Sequence, residues 1–148
     1  QSLPQFSESI PLEVITDVFD KSIIVDGLTP QIVSTGLRDI MLPVQTREQL
    51  FSFKPDFGKM ADMNKKTNSI GVHAFTLDTI DPKSIAHCRN FAPLYGITEE
   101  CYELIFGRVI DPKKSFAEIM AKIRGSYILS SQFTTEELLR LKMLQTLV

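Results

Sequence analysis

The chain has 148 residues, 43% hydrophobic and 23% charged, with a formal net charge of −2. That length suits one domain, which buries roughly 68–70% of its unfolded surface. Its basic doublets, Lys65-Lys66 and Lys113-Lys114, form no stripe, which argues against a nucleic-acid surface. No apolar run approaches the ~18 residues of a membrane span. Gln1-Ser2-Leu3-Pro4 has no basic region followed by an apolar one, so a signal peptide is not expected. Cys88 and Cys101 make no disulfide framework, and reduced thiols in a cytoplasmic protein are the simpler expectation.

Taken in chain order, Ser9-Ile10-Pro11 reads as a helix start, and Leu12, Ile15 and Phe19 recur at helical spacing, predicting a helix over residues 10–20. Residues 22–25 run into the turn signal Asp26-Gly27. From Gln31 to Val44 the pattern is β-like, with Gly36 as an interruption that suggests a bulge or close backbone approach. Thr46-Arg47-Glu48-Gln49 is a capping box that opens a short helix. Pro55 ends that helix and starts another, with Phe57, Met60 and Ala61 on one face. Ile70 to Leu77 alternates as a strand, Asp81-Pro82 breaks it, and Ile85 to Phe91 offers a second strand. This order suits an antiparallel α+β domain. Beyond it, Thr98 with Glu99-Glu100 reads as a helix start. Ser115-Phe116-Ala117-Glu118 and Thr134-Thr135-Glu136-Glu137 are further capping boxes in a helical tail.

Chemistry is sparse. His73 lies within an alternating strand and reads first as a packed side chain. His87 and Cys88 are adjacent, so on a strand they face opposite ways and share a metal poorly. No zinc spacing occurs, so a bound metal is not expected, and nucleotide-binding glycine motifs are missing as well. Ser34-Thr35-Gly36 could be a small anion-binding turn, although a strand bulge is the better reading. Phe51, Phe53, Phe57, Met60 and Met63 read as core. A carboxylate at the junction near Glu99 and Glu100 could serve as general acid or base. On physical grounds alone, those acids more simply complement a helix dipole.

The segment Arg89-Asn90-Phe91-Ala92-Pro93-Leu94-Tyr95-Gly96-Ile97-Thr98-Glu99-Glu100 resembles the signature of PhzF-like (phenazine biosynthesis) isomerases, in the diaminopimelate-epimerase superfamily. Val33-Ser34-Thr35-Gly36-Leu37, Ile40-Met41-Leu42-Pro43-Val44, Lys54-Pro55-Asp56-Phe57 and Gly71-Val72-His73-Ala74-Phe75-Thr76-Leu77 precede it in matching order. The resemblance implies two similar α+β domains, each a curved antiparallel sheet around a central helix, with the active site between them. It implies proton transfer on a small anionic metabolite without metal or organic cofactor. A carboxylate of the first domain would act with an acidic residue of the second, here Glu100. The match over about residues 1–100 is to the second half of a family member, which predicts a catalytically incomplete chain that self-associates or needs its missing N-terminal half. After Glu100 the family's Ala-Thr-Gly-Ser/Thr helix start is replaced by Cys101-Tyr102-Glu103-Leu104-Ile105-Phe106, and residues 101–110 could be the far end of that helix. The expected organisation is a domain over residues 1–110 followed by a helical segment, residues 111–148, of unrecognised origin. The rival reading is a non-catalytic binding or assembly module that kept the scaffold. A thiol enzyme using Cys88 or Cys101 is disfavoured, because neither lies in the Cys-Gly setting of the epimerase branch.

Overall fold

The computed structural model describes residues 4–81 and 84–105, with backbone alone for residue 85 and over residues 97–105. The tail expectations, including the capping boxes at Ser115 and Thr134 and the segment 111–148, lie outside the described residues. Six strands form one sheet whose order follows the chain: β1 (Gln5–Ser9), β2 (Gln31–Ser34), β3 (Arg38–Pro43), β4 (Gly71–Thr76), β5 (Ser84–Ala92) and β6 (Ile97–Ile105). The class is α+β, but the sheet is mixed, which corrects the antiparallel expectation. β3 and β4 run parallel, with Ile40 opposite Val72 and Leu42 opposite Ala74. Parallel neighbours need a crossover longer than a hairpin. Two helices between them, α2 (Arg47–Ser52) and α3 (Phe57–Lys66), supply it.

Local chemistry accounts for those helices. The Thr46 hydroxyl accepts from the Gln49 N–H at 3.2 Å, so one half of the expected box forms. Its reciprocal half differs: Gln49 Oε1 accepts from the Thr46 hydroxyl at 3.1 Å instead of the side chain reaching the cap amide. α2 stops at Ser52, before Pro55, and Asp56 caps α3 by accepting from the Lys59 N–H at 3.0 Å. The helix expected over residues 10–20 is cut to α1 (Leu12–Ile15), entered from Pro11. Ser9 is no cap because it belongs to β1, opposite Gln31. Phe19 lies outside α1, yet it is buried with Ile15 in the core.

A larger correction concerns Thr98. Residues 97–105 form β6, not a helix start or helix end, and pair antiparallel with β5. Gly96, at φ 76°, reverses the chain after the 3₁₀ turn Pro93–Tyr95. Reversal beside β5 lets the backbone exchange ladder bonds with an existing strand, and Ile97, Thr98, Tyr102 and Ile105 are good strand formers.

The three α-helices among the described residues lie on one face. Ile15, Leu50, Met60 and Met63 pack with Ile32, Ile40, Leu42, Val72, Ala74 and Phe91 in one cluster. The second face is buried as well: Val33, Met41, Phe75, Ala86 and Cys88 are at most 1% exposed. β4 therefore shows six consecutive buried positions although its side chains alternate between faces.

Candidate functional site

Stretches far apart in the sequence meet at one end of the sheet. The β2–β3 turn, the connection from α3 into β4, and the Pro93–Tyr95 turn enclose a groove of about 370 Å³, lined by Gly36, Arg38, Asn64, Lys65, Ser69 and Tyr95 among others. The Ser34 hydroxyl accepts from the Gly36 N–H at 3.2 Å, and Gly36 sits at φ 124°, where only glycine is at ease. Ser34-Thr35-Gly36 is thus the tight link between two strands. Its Gly36 amide is engaged within the turn.

Arg38 ties this end together. Its Nη2 donates to Glu8 Oε1 at 2.7 Å, its Nε to the Asn68 carbonyl at 2.9 Å, and its Nη1 to the Ser7 hydroxyl at 3.3 Å. Glu8's backbone amide holds the Glu8 carboxyl below its ordinary range against the opposing effect of burial, and Arg38 adds to the lowering. Asn64 is buried and donates to the Ser69 hydroxyl at 2.8 Å, which fixes the loop leading into β4. Gly71 opens β4 there, and a Cβ at this position would run into the Phe91 carbonyl oxygen. The signature's Phe91-Ala92 and the Gly71-Val72 stretch are therefore in direct backbone contact.

Arg89 of the signature points away from the groove, into the helical face. Its Nη1 donates to the Leu50 carbonyl and, at 2.8 Å, to the Phe53 carbonyl. Its guanidinium carbon lies 5.2 Å from the centre of the Phe53 ring and 4.9 Å from that of Phe91. The side chain is 5% exposed, so the clamp is sealed from water. Arginine suits this task because its planar, weakly hydrated cation can stack on rings while donating several bonds. His87, on the same face, stacks against Phe51 at 4.7 Å. Cys88 is buried on the other face, the opposite orientation that adjacency on a strand requires. Cys101 stands opposite Arg89 in register, a row away from Cys88, whose partner is Tyr102.

On the second face the register makes a transverse row. Gln31 is opposite Met41, Met41 opposite His73, His73 opposite Asn90, and Asn90 opposite Glu100. His73 and Asn90 are buried, as is Asp39 one row nearer the groove end. The pairing slips by one residue between Asn90–Glu100 and Ala92–Ile97, so an extra residue of β6 lies immediately before Glu100. Such bulges redirect a strand's side chains and gather near sites of chemistry. Sequence reasoning placed Glu100 beyond a helix cap and read His73 as packing, and it missed Asn90 and Asp39. The available signal was their place in strand patterns, where a polar residue facing an apolar layer is out of character. Among the described residues no cluster of three or more His, Cys, Asp or Glu side chains could hold a metal ion. No helix among them is long and apolar enough to cross a membrane.

Comparison with known proteins bears on this arrangement. The family model for phenazine biosynthesis-like protein, PhzC-PhzF, matches residues 2–101. An uncharacterized isomerase from Clostridium acetobutylicum is 28% identical over 81 residues, covering 55% of this chain and 27% of the relative. The chain thus spans about a quarter of the length of the curated relative it matches. The crystal structure of a Bacillus anthracis phenazine biosynthesis protein, PhzF family, superposes with a TM-score of 0.58 at 23% identity, over 71% of this chain and 36% of that one. A putative phenazine biosynthesis PhzC/PhzF protein from Clostridium difficile gives a TM-score of 0.40 at 18% identity, over 66% and 31% of the respective chains.

Proposed function

Because the chain belongs to the phenazine biosynthesis-like (PhzC-PhzF) family, we propose that it is the second half of a cytoplasmic isomerase that moves a proton on a small anionic metabolite without metal or organic cofactor. Family membership and an isomerase-named relative support the isomerase class. In this reading the second sheet face curves around a central helix of the complete protein. Glu100 is the acidic residue that bonds to substrate or relays the proton. The observation that carries the reading is the meeting of the turn 34–37, the start of β4 and the Phe91–Gly96 stretch at one end of the sheet, beside the strand bearing Glu100.

The chain by itself is incomplete as a catalyst. Abstraction and return of a proton need a second carboxylate, and one positioned acid–base group is worth roughly 10²–10⁴-fold. Loss of an anion-stabilising donor removes roughly another 10²–10³-fold. The partner that completes the site is the missing N-terminal half or, failing that, a second copy of the chain.

The test restores an upstream half and the family's Ala-Thr-Gly-Ser/Thr helix start after Glu100, then compares the protein with its Glu100→Gln variant by deuterium exchange into an amino-acid-like substrate. The expected result is exchange in the restored protein and a loss of at least about 10²-fold in the variant. Unchanged exchange in Glu100→Gln overturns the assignment. A folded, restored protein without exchange favours the second reading, a binding module that kept the scaffold. The observation on that side is β6, which continues as strand through residues 101–105, where the family resemblance calls for a helix start.

A further inference from the structure

The burial of the second sheet face calls for a covering layer. Val33, Met41, Phe75, Ala86 and Cys88 are at most 1% exposed within the single chain. The core cluster that the described helices make on the other face contains none of these five. Asp39, His73 and Asn90 are buried on the second face too, and none of the three lacks an interaction partner. A sheet is one layer thick, so both of its faces lose water only when a further layer lies on each. A face this apolar, left bare, would be a patch of about a few hundred Å², a size that monomeric proteins rarely expose. Of the stretches outside the described residues, 1–3 and 82–83 are too short to make a layer, which leaves 106–148.

We propose that residues 115–125 form a helix that lies on the second face, with Phe116, Ile119, Met120 and Ile123 seated against Met41, Phe75, Ala86 and Cys88. The sequence of that stretch has the required form. After the capping box at Ser115 those four apolar residues recur at helical spacing, Glu118, Ala121 and Lys122 fall on the opposite side, and Gly125 follows as a stop. Ten residues of helix are about 15 Å long, which fits within the roughly 20 Å of a six-residue strand such as β3 or β4. β6 is the edge strand and ends at Ile105, and the stretch 106–114 spans up to about 30 Å. That is enough to cross from β6 to β3 and β4 at roughly 5 Å per strand. Consecutive elements are usually neighbours in space, which favours this stripe over Leu138, Leu141 and Leu144 further on. The inference goes beyond proton transfer and does not rest on Glu100. Its consequence is that this half closes its own sheet, so an upstream half or a second copy meets the chain on another surface.

The test uses the 148-residue chain itself and needs no turnover. With ¹³C-labelled Ile, Met and Ala methyl groups, nuclear Overhauser contacts are expected from Ile119, Met120 and Ile123 to Met41 and Ala86. They should persist as contacts within one chain when labelled and unlabelled protein are mixed. Cys88 supplies a second readout, followed by alkylation and peptide mass. Its alkylation is expected to run at least about 100-fold slower in the folded chain than in urea. Met120→Asp, in the stripe, should speed it by about 10-fold or more, whereas Lys122→Glu, outside the stripe, should not. Met41 and Ala86 methyls that touch only other sheet residues overturn the proposal. So do contacts that arise only between chains, which would make a second copy the cover, and contacts from Leu138, Leu141 or Leu144 in place of the stripe. A folded Met120→Asp chain with Cys88 still protected overturns it as well. If Met120→Asp does not fold, the wild-type methyl contacts decide. The catalytic reading is tested separately, because either outcome for Glu100→Gln in the restored protein leaves this inference standing.

Discussion

The two faces of the sheet handle buried polarity in different ways. On the helical face the buried cation Arg89 donates to carbonyls at the end of α2 and lies against two aromatic rings. Its partners are backbone atoms and rings from the same domain, so the cluster is closed and serves the fold. On the second face His73 and Asn90 lie in a register row that continues to Glu100 on β6. A signature arginine is often taken for a substrate-binding group. In this chain the signature arginine is a fastener.

Substitutions can break this comparison from either side. The largest effect is expected at Gly71, at the start of β4 and on the second face. A Cβ there meets the Phe91 carbonyl oxygen, a backbone atom that cannot swing aside. Gly71→Val is expected to exceed the ~1–3 kcal/mol of ordinary overpacking, and urea unfolding should show either that loss or no cooperative transition. A loss below about 1 kcal/mol would mean that the two signature stretches are not in contact.

Arg89→Met comes next and tests the helical face. It keeps much of the side-chain length but strips donors from the Leu50 and Phe53 carbonyls and removes the ring contacts. A buried acceptor left without a donor costs about 1–3 kcal/mol, so a loss of roughly 3 kcal/mol is expected, with Arg89→Lys recovering only part. Full recovery by lysine would show that charge alone, not the planar fork, holds α2 in place.

The smallest effect lies at the rim, outside both faces. The Ser22 N–H donates to Asp20 at 2.8 Å, and this bond holds the Asp20 carboxyl below its ordinary value of 3.8. Glu8 is held below its ordinary 4.5 by its own backbone amide and by Arg38. A carboxyl whose folded value is depressed stabilises the fold above its unfolded value, and that contribution is lost as pH falls through the folded one. Stability should therefore be flat from neutral pH to about pH 5 and decline slightly below pH 4.5. Glu8→Gln should remove part of the decline in an acid titration of the unfolding midpoint. A decline that begins at pH 6 would show that groups other than these two carboxyls govern it.

Much of this could be read from residues alone, and the reason lies in how local each signal is. The Thr46 cap, the end of α2 before Pro55, the turn at Gly27 and the core strand 71–76 depend on neighbours a few positions away. The match to a known family, over about residues 1 to 100, survived because it used the order of short stretches, and order does not depend on their pairing. Other features are decided across the fold. Glu99-Glu100 after Thr98 satisfies the local rules for a helix start, yet β5 offered a whole row of backbone partners and the chain took them as β6. The parallel pairing of β3 with β4 is decided by the crossover packing α2 and α3 onto one face. Asn90 and Glu100 are ten positions apart and carry no mark of association in sequence. Only the antiparallel ladder sets them side by side, because register is a property of two strands and no single strand contains it.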